Sequence, residues 1–235
     1  MKRFYKIVSI ENVDSEWKIL LDGKIVRTPM RSELTIPTEK LAAAIQTEWQ
    51  DQNDMILPDT MPITQMMMTI IDRIRPNREK FLNEALGYLD TDLICYFADE
   101  PEIYAAEQKK HWLPILNWLR DFLKCEILTT NALAALTQAQ PTHKVISDYI
   151  SNLDELKFSV LYLTTLTTGS VLLPIAFIEN AFTENEIFDA TLAEDLIKDK
   201  IYLAETYGIS PDQERRRKIV KNELSGSRQF LDLCL

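Results

Sequence analysis

Between Phe4 and Ile36 the apolar positions alternate with polar ones, the two-residue period of strands with one buried face. Trp17, Ile19 and Leu21 fall on one face; Asp22-Gly23 follows, and Ile25 and Val26 lead back out, which is the pattern of a tight hairpin. Phe4 to Ile10 is the expected partner strand and Glu33 to Ile36 a short fourth, together predicting a small antiparallel sheet or partial barrel. After Pro37 the period lengthens. Thr38 is placed to cap a helix whose Leu41, Ala44, Ile45 and Trp49 share one face, and a second helix after Pro62 carries Met66, Met67, Ile70, Ile71 and Ile74.

Pro76-Asn77 is the expected seam. Beyond it nearly every segment has helical spacing. Phe81, Leu82, Ala85, Leu86 and Leu89 form one stripe, and Trp112, Ile115, Leu116, Leu119, Phe122 and Leu123 form another in a helix starting near Pro101. Further helices are predicted at Thr142 to Asn152, Leu153 to Thr168, Val171 to Ala181, Glu184 to Tyr207 and Pro211 to Leu233, with a short strand at Glu126 to Thr130. The expected fold class is α+β: a small N-terminal antiparallel β-sheet with helices over residues 1–76, then a larger all-α C-terminal domain over residues 77–235.

Composition narrows the chemistry. The chain has 235 residues, 46% hydrophobic, and a formal net charge of -10. A chain of this size buries roughly 70% of its unfolded surface, enough for one large domain or two small ones. Its glycines, Gly23, Gly87, Gly169, Gly208 and Gly226, are far apart, so neither a P-loop nor a GxGxxG fingerprint is present. His111 and His143 are solitary, and Cys95, Cys125 and Cys234 have no CxxC spacing, so no metal site and no cofactor are expected. The dispersed thiols read as reduced, buried cysteines. Acidic balance argues against nucleic acid as a partner. The longest apolar stretch, Val171 to Ile178 with Pro174 inside it, falls short of the roughly 20 residues of a membrane span, and no apolar signal core follows Met1-Lys2-Arg3-Phe4-Tyr5. A cytoplasmic protein without membrane insertion is therefore expected.

Candidate chemistry is sparse. Asp90 and Asp92 flank Thr91 and precede Cys95; a carboxylate beside a thiol deactivates it as a nucleophile, and carboxylates two apart on a helix diverge, so capping or ion pairing explains them better than acid–base work. His111 beside Trp112 reads as a boundary residue. Met66 to Met68 read as core filler or, in a minority reading, an adaptable contact surface. Charge patterning is more suggestive: Glu184, Glu186, Asp189, Glu194, Asp195, Asp199 and Glu205 face only Lys198 and Lys200, and Arg215-Arg216-Arg217-Lys218 follows. An acidic helix precedes a basic one, either as a solvated face with intrachain ion pairs or as a docking surface for a partner.

Specific strings then resemble a known family. Leu21-Asp22-Gly23-Lys24-Ile25-Val26-Arg27-Thr28-Pro29, Ile36-Pro37-Thr38, Leu41-Ala42, Ala44-Ile45 and Glu48-Trp49-Gln50 with Gln52 are similar to the N-terminal signature of the assembly chaperones for the alpha subunit of F-type ATP synthase. Pro58, Met61-Pro62-Ile63-Thr64, Ile71-Asp72-Arg73, Tyr88, Thr91-Asp92-Leu93-Ile94-Cys95-Tyr96, Pro101, Gln108, Trp112, Pro114 and Trp118 continue it in order, so the resemblance covers residue 4 to about residue 125. Gly169-Ser170-Val171-Leu172 and Tyr207-Gly208, where the family usually has Trp-Gly, extend it more loosely.

The resemblance implies a non-enzymatic, monomeric chaperone that holds a newly made alpha subunit until a beta subunit replaces it. It would work in the bacterial cytoplasm, or in the mitochondrial matrix if a presequence has been removed. A functional acid of the family, near the start of its penultimate long helix, falls on Glu194-Asp195 counted forward from Gly169-Ser170 and on Asp199-Lys200 counted back from Tyr207-Gly208. The implied partner-binding set is Glu194, Asp195, Asp199 and Glu205, with Trp49 as a further family position that reads equally as core. Exchanging Glu194 and Asp195 for Lys is expected to weaken client binding without unfolding the protein. The alternative function is a hydrolase or transferase using the carboxylates around Asp90 and Asp92 in a cleft between the two domains. A third reading is an adaptor for an unrelated partner.

Overall fold

Backbone turns that require positive φ set the sheet. The computed structural model describes residues 1–132, 134–201 and 208–234. Asp14 (φ 53) and Ser15 (φ 68) close strand β1 (Val8–Val13) onto β2 (Glu16–Leu21), and Asp22 (φ 49) and Gly23 (φ 78) turn β2 into β3 (Lys24–Ile25). Consecutive positive φ values match the right-handed twist of the paired strands, and Asp and Gly tolerate them best. A short β4 (Thr35–Ile36) pairs antiparallel with β2 at Trp17↔Ile36, while β3 pairs with it at Leu20↔Ile25, so β3 and β4 share one edge of β2 and β1 occupies the other.

The first strand begins later than its alternation predicts, and a side chain is the reason. The amides of Lys6 and Ile7 donate to the Asp22 carboxylate at 3.1 and 2.8 Å instead of joining a ladder, which leaves Phe4 and Ile7 exposed. Those same bonds, led by the one from Ile7, hold the Asp22 carboxyl below its ordinary range.

Helix α1 (Glu39–Gln50) starts where Thr38 accepts the Leu41 amide, and it buries Leu41, Ala42, Ile45 and Trp49; Ala44 is half-buried. The Thr38 hydroxyl also donates to the carbonyl of Leu233 at 3.1 Å. Helix α2 (Pro62–Thr69) runs into a wider π turn over Ile70–Ile74, and together they bury Ile63, Thr64, Met67, Ile70, Ile71 and Ile74, with Met66 and Met68 half-buried. Two carboxylates pin this layer. Glu48 takes the Ile63 and Thr64 amides at 2.8 Å each and the Thr64 hydroxyl at 2.6 Å, satisfying first-turn donors that have no helical acceptor. Asp72 accepts the Thr28 hydroxyl at 2.6 Å and the Met30 amide at 3.0 Å.

By packing, the chain divides into two compact units, Met1–Arg78 joined by the stretch from Arg228 on, and Glu79–Ser227. The second unit is helical: α3 (Arg78–Leu86), α4 (Glu102–Leu123), α5 (Gln140–Ser151), α6 (Glu155–Thr168), α7 (Leu172–Ile178), α8 (Glu184–Thr191), α9 (Ala193–Ile201) and most of α10 (Pro211–Cys234). Every residue of α7 is buried. Trp112 is buried on α4 with its indole N–H donating to the Ala190 carbonyl at 2.8 Å. Among the described residues no helix is long and apolar enough to cross a membrane.

Several expectations are corrected. Glu126 to Thr130 is not a strand beyond a single Tyr96↔Thr130 bridge, because Gln138 takes the place of a partner strand: its side chain accepts from the Leu128 amide and donates to the Leu128 carbonyl, both at 2.9 Å. The helix expected from Glu184 breaks at Leu192 (φ -111), between the capping box that opens α8 at Thr183 and Glu186 and the start of α9; its predicted end at Tyr207 lies outside the described residues. Phe122 is exposed rather than part of the α4 stripe, stacking on Trp118 at 4.7 Å between ring centroids. Of the α3 stripe only Ala85 and Leu89 are buried, and Cys125 and Cys234 are half-buried while Cys95 is in the core.

Glu48 offers a direct check on this packing. Burial raises its carboxyl pKa and the Thr64 and Ile63 bonds oppose that. Glu48→Ala leaves those amides without their acceptor and is expected to lose about 1–3 kcal/mol of stability, read as a lower urea midpoint; Glu48→Gln, which keeps one acceptor oxygen, loses less.

Candidate functional site

The acidic segment singled out by charge pattern is divided between α8 and α9, and the basic run that follows meets α9. Asp195 is nearly buried, with Arg216 at 3.2 Å, Lys198 at 4.0 Å and its own carbonyl accepting from Arg217 at 3.4 Å. One turn on, Asp199 pairs with Arg217 at 2.7 Å. The i, i+4 spacing puts both acids on the face of α9 that Arg216 and Arg217 of α10 cover. Glu194 points elsewhere: its carboxylate accepts from Gln108 at 3.0 Å, and Gln108, buried on α4, accepts the Ala98 amide at 2.7 Å. Arg216 remains more than half exposed. The cluster therefore presents an exposed guanidinium beside buried Asp195 and half-buried Asp199, a polar surface suited to recognising a charged partner but with no nucleophile.

Sequence reasoning named the acids and, in its reading of intrachain ion pairs, the basic run that Asp195 and Asp199 face; it missed the partner of Glu194. Arg215 to Lys218 carries the signal for the arginine partners, a basic run following an acidic helix; nothing local marks Gln108, whose partner lies 86 positions away. Glu205 lies outside the described residues. Trp49 is a core residue of the first unit, edge-on to Tyr5 at 5.7 Å between ring centroids, and the Tyr5 hydroxyl donates to the Trp49 carbonyl at 2.7 Å. Its indole N–H finds no partner among the described residues.

The carboxylates of the enzyme alternative are engaged in holding the chain. Asp92 has no exposed surface. One oxygen accepts the Ile94 amide at 3.2 Å; the other accepts the amides of Val171 at 2.7 Å and Leu172 at 3.0 Å, the buried start of α7. The Ser170 hydroxyl completes that cap by accepting from Leu172 and Leu173. Burial pushes the Asp92 carboxyl up to about 6, against the opposing bonds from Ser170 and from the amides of Leu172, Ile94 and Val171. Asp90 accepts the Gln138 amide at 2.9 Å and contacts His143 Nε2 at 2.9 Å. Burial, with Asp92 adding to it, raises the Cys95 thiol far above its ordinary range, the opposite of what a nucleophile needs. Among the described residues no group of three or more His, Cys, Asp or Glu side chains is placed to hold a metal ion.

Two predictions follow from these contacts. Because native Asp92 keeps its proton to a higher pH than the unfolded chain, this group lowers stability as pH rises from about 4 to about 6 and leaves it level above that. Asp92→Asn is destabilised by about 2–4 kcal/mol, since an amide N–H₂ meets backbone donors, and its deficit against the wild type is expected to shrink by roughly 3 kcal/mol across that window. Urea unfolding at a series of pH values checks both. The geometry also puts a stability cost on exchanging Asp195 for Lys: Asp195→Lys sets a cation against Arg216 and Lys198 and is expected to cost about 1–3 kcal/mol. Glu194→Gln keeps the acceptor for Gln108 and is expected to stay within about 0.5 kcal/mol of wild type by the same measurement.

Comparison with known proteins places this architecture. The family model described as ATP12 chaperone protein matches residues 2–120, just over half of the chain. The mitochondrial ATP12 protein of Saccharomyces cerevisiae is 24% identical over 213 residues, covering 76% of this chain and 66% of that protein. Its Schizosaccharomyces pombe counterpart is 26% identical over 165 residues, covering 65% of this chain and 57% of that protein, so the chain spans less than two thirds of either relative. The crystal structure of Atp12 from Paracoccus denitrificans superposes with a TM-score of 0.89 at 26% identity, covering 99% of this chain and 97% of that one. The Atu1473 protein of Agrobacterium tumefaciens superposes with a TM-score of 0.88 at 27% identity, covering 100% of this chain and 86% of that one. The chain belongs to the ATP12 chaperone family.

Proposed function

We propose that this protein is a non-enzymatic assembly chaperone of F-type ATP synthase, which holds the unassembled alpha subunit in solution until the beta subunit replaces it. The observation that carries the reading is the likeness to Paracoccus Atp12 over nearly the whole chain, including the part of the helical second unit beyond residue 120, where the family model ends. The chemistry of the interior agrees with it. Asp92, Asp90 and Cys95, the groups an enzyme reading would use, are buried or occupied in backbone and side-chain bonds. A holdase needs instead a surface that shields its client, and binding the folded client selectively stabilises it by mass action.

In this reading α9 and α10 form part of the client surface, with Glu194, Asp195, Asp199 and Glu205 as contact residues. Arg216 and Arg217 hold Asp195 and Asp199 in place before the client arrives, and Gln108 holds Glu194, so the contact needs little reordering of long side chains. Trp49 supports the first unit from within. The chaperone acts as a monomer in a bacterial cytoplasm or a mitochondrial matrix, without nucleic acid or membrane insertion.

Coexpression with the alpha subunit is expected to keep that subunit soluble as a one-to-one complex on size-exclusion chromatography, and added beta subunit is expected to release the chaperone. An alpha subunit that aggregates equally with and without the chaperone refutes the reading. Glu194→Lys, which spares the Asp195 cluster, is expected to weaken the complex by about tenfold, as read by titration calorimetry.

A further inference from the structure

The first unit carries a groove of about 810 Å³ between α1 and the segment that leads into α2. Met55 and Leu57 line it while standing about half exposed, half-buried Ala44 adds to its apolar surface, and Asp51 and Asp54 lie exposed along it. The only other carboxylate of the lining, Glu48, is occupied with the amides of Ile63 and Thr64. Among the described lining residues none is Lys or Arg.

The groove is built in advance of any occupant. Gln52, buried beneath it, donates to the Glu48 carbonyl and the Thr60 hydroxyl at 3.0 Å each and accepts the Leu57 amide at 2.8 Å. The other side of the segment is tied to the chain start, where Arg3 donates to the Asp54 carbonyl at 2.9 Å and Ile56 to the Met1 carbonyl at 2.7 Å. Met55 and Leu57 are thus held outward on a braced backbone. Exposed aliphatic side chains on a preformed concave surface are characteristic of contact sites, and the unbranched thioether of Met adapts to varied partners.

We infer that this groove receives an extended or helical polypeptide segment of the client that carries aliphatic side chains next to Lys or Arg. Charge decides the class: exposed Met55 and Leu57 with the exposed carboxylates of Asp51 and Asp54 beside them, and with Arg3 outside the lining and turned to the Gln50 and Gln52 carbonyls, match a basic-flanked apolar segment and disfavour an acidic one. The volume accommodates several side chains, and the apolar walls suit burial of a chain segment that is covered by another subunit after assembly. This inference rests on the chaperone reading above and adds a second contact surface to it, in the other unit of the chain from the α9 acids.

The test compares the wild type with Met55→Gln/Leu57→Gln and with Asp51→Asn/Asp54→Asn, all at exposed positions, each first shown to keep the wild-type urea midpoint. Affinity for the unassembled alpha subunit is measured at about 50 and about 300 mM NaCl. The apolar pair is expected to weaken binding about tenfold or more at both salt concentrations. The acidic pair is expected to weaken it several-fold at low salt only, and to flatten the salt dependence. A wild type that binds while both variants bind within about twofold of it overturns the groove and leaves the chaperone reading standing. A wild type that fails to bind overturns the chaperone reading and the groove with it. A wild-type dimer in light scattering that the apolar pair dissociates assigns the groove to a second copy of this chain and likewise overturns the inference.

Discussion

A helix that starts inside a hydrophobic core has amide donors that no water can reach, and Asp92 answers that constraint here. Every residue of α7 is buried, and its first amides, Val171 and Leu172, end on a carboxylate with no exposed surface of its own. Leaving the donors unpaired costs about 1–3 kcal/mol each; burying an ion without partners costs more. Each group makes the other tolerable, and the bond to the Ile94 amide fixes the loop that delivers Asp92. The second unit is arranged around this bond, with α6 ending at Gly169 (φ 71) so that the chain can double back and present the start of α7 to Asp92.

The same device recurs in the first unit. Glu48 caps the start of α2, Asp72 ties the Thr28 to Met30 loop, and Asp22 holds the amides that precede β1. These carboxylates lie within strings that resemble the family signature, and for three of them a partner lies within another such string: Glu48 with Ile63-Thr64, Asp72 with Thr28, Asp92 with Val171-Leu172. The signature in this chain is largely a set of polar pins across the fold. Four carboxylates that contribute to the net charge of -10 thus hold backbone in place, three of them at least half-buried and Asp22 at the surface.

Local physics was legible in the sequence where it was decided locally. Alternation and the Asp22-Gly23 turn predicted the hairpin, Thr38 its helix cap, and helical spacing nearly all of the second unit. What could not be read were elements settled by distant side chains. Gln138 replaces a strand partner for Leu128, and Asp22 keeps Lys6 and Ile7 from joining β1. For the candidate site, charge pattern located α9 and hinted at the arginines, yet the Gln108 bond to Glu194 depends on packing across 86 positions and leaves no local trace. The groove was invisible for a related reason: Met55 and Leu57 alternate with buried Ile56 like any strand, and it is bracing by Gln52 on one side and by the chain start on the other that holds them outward.

Pins and client surfaces are therefore separable, and amide hydrogen exchange on the chaperone alone and in complex with the unassembled alpha subunit separates them most directly. If the client is held by the outer surfaces, new protection appears over Met55 to Leu57 and over Ala193–Ile201, while the amides of Ile63, Thr64, Val171 and Leu172 exchange at the limit of global unfolding in both states. New protection confined to those capped amides, with none at the groove or on α9, would contradict the separation of fold-holding residues from client-holding ones.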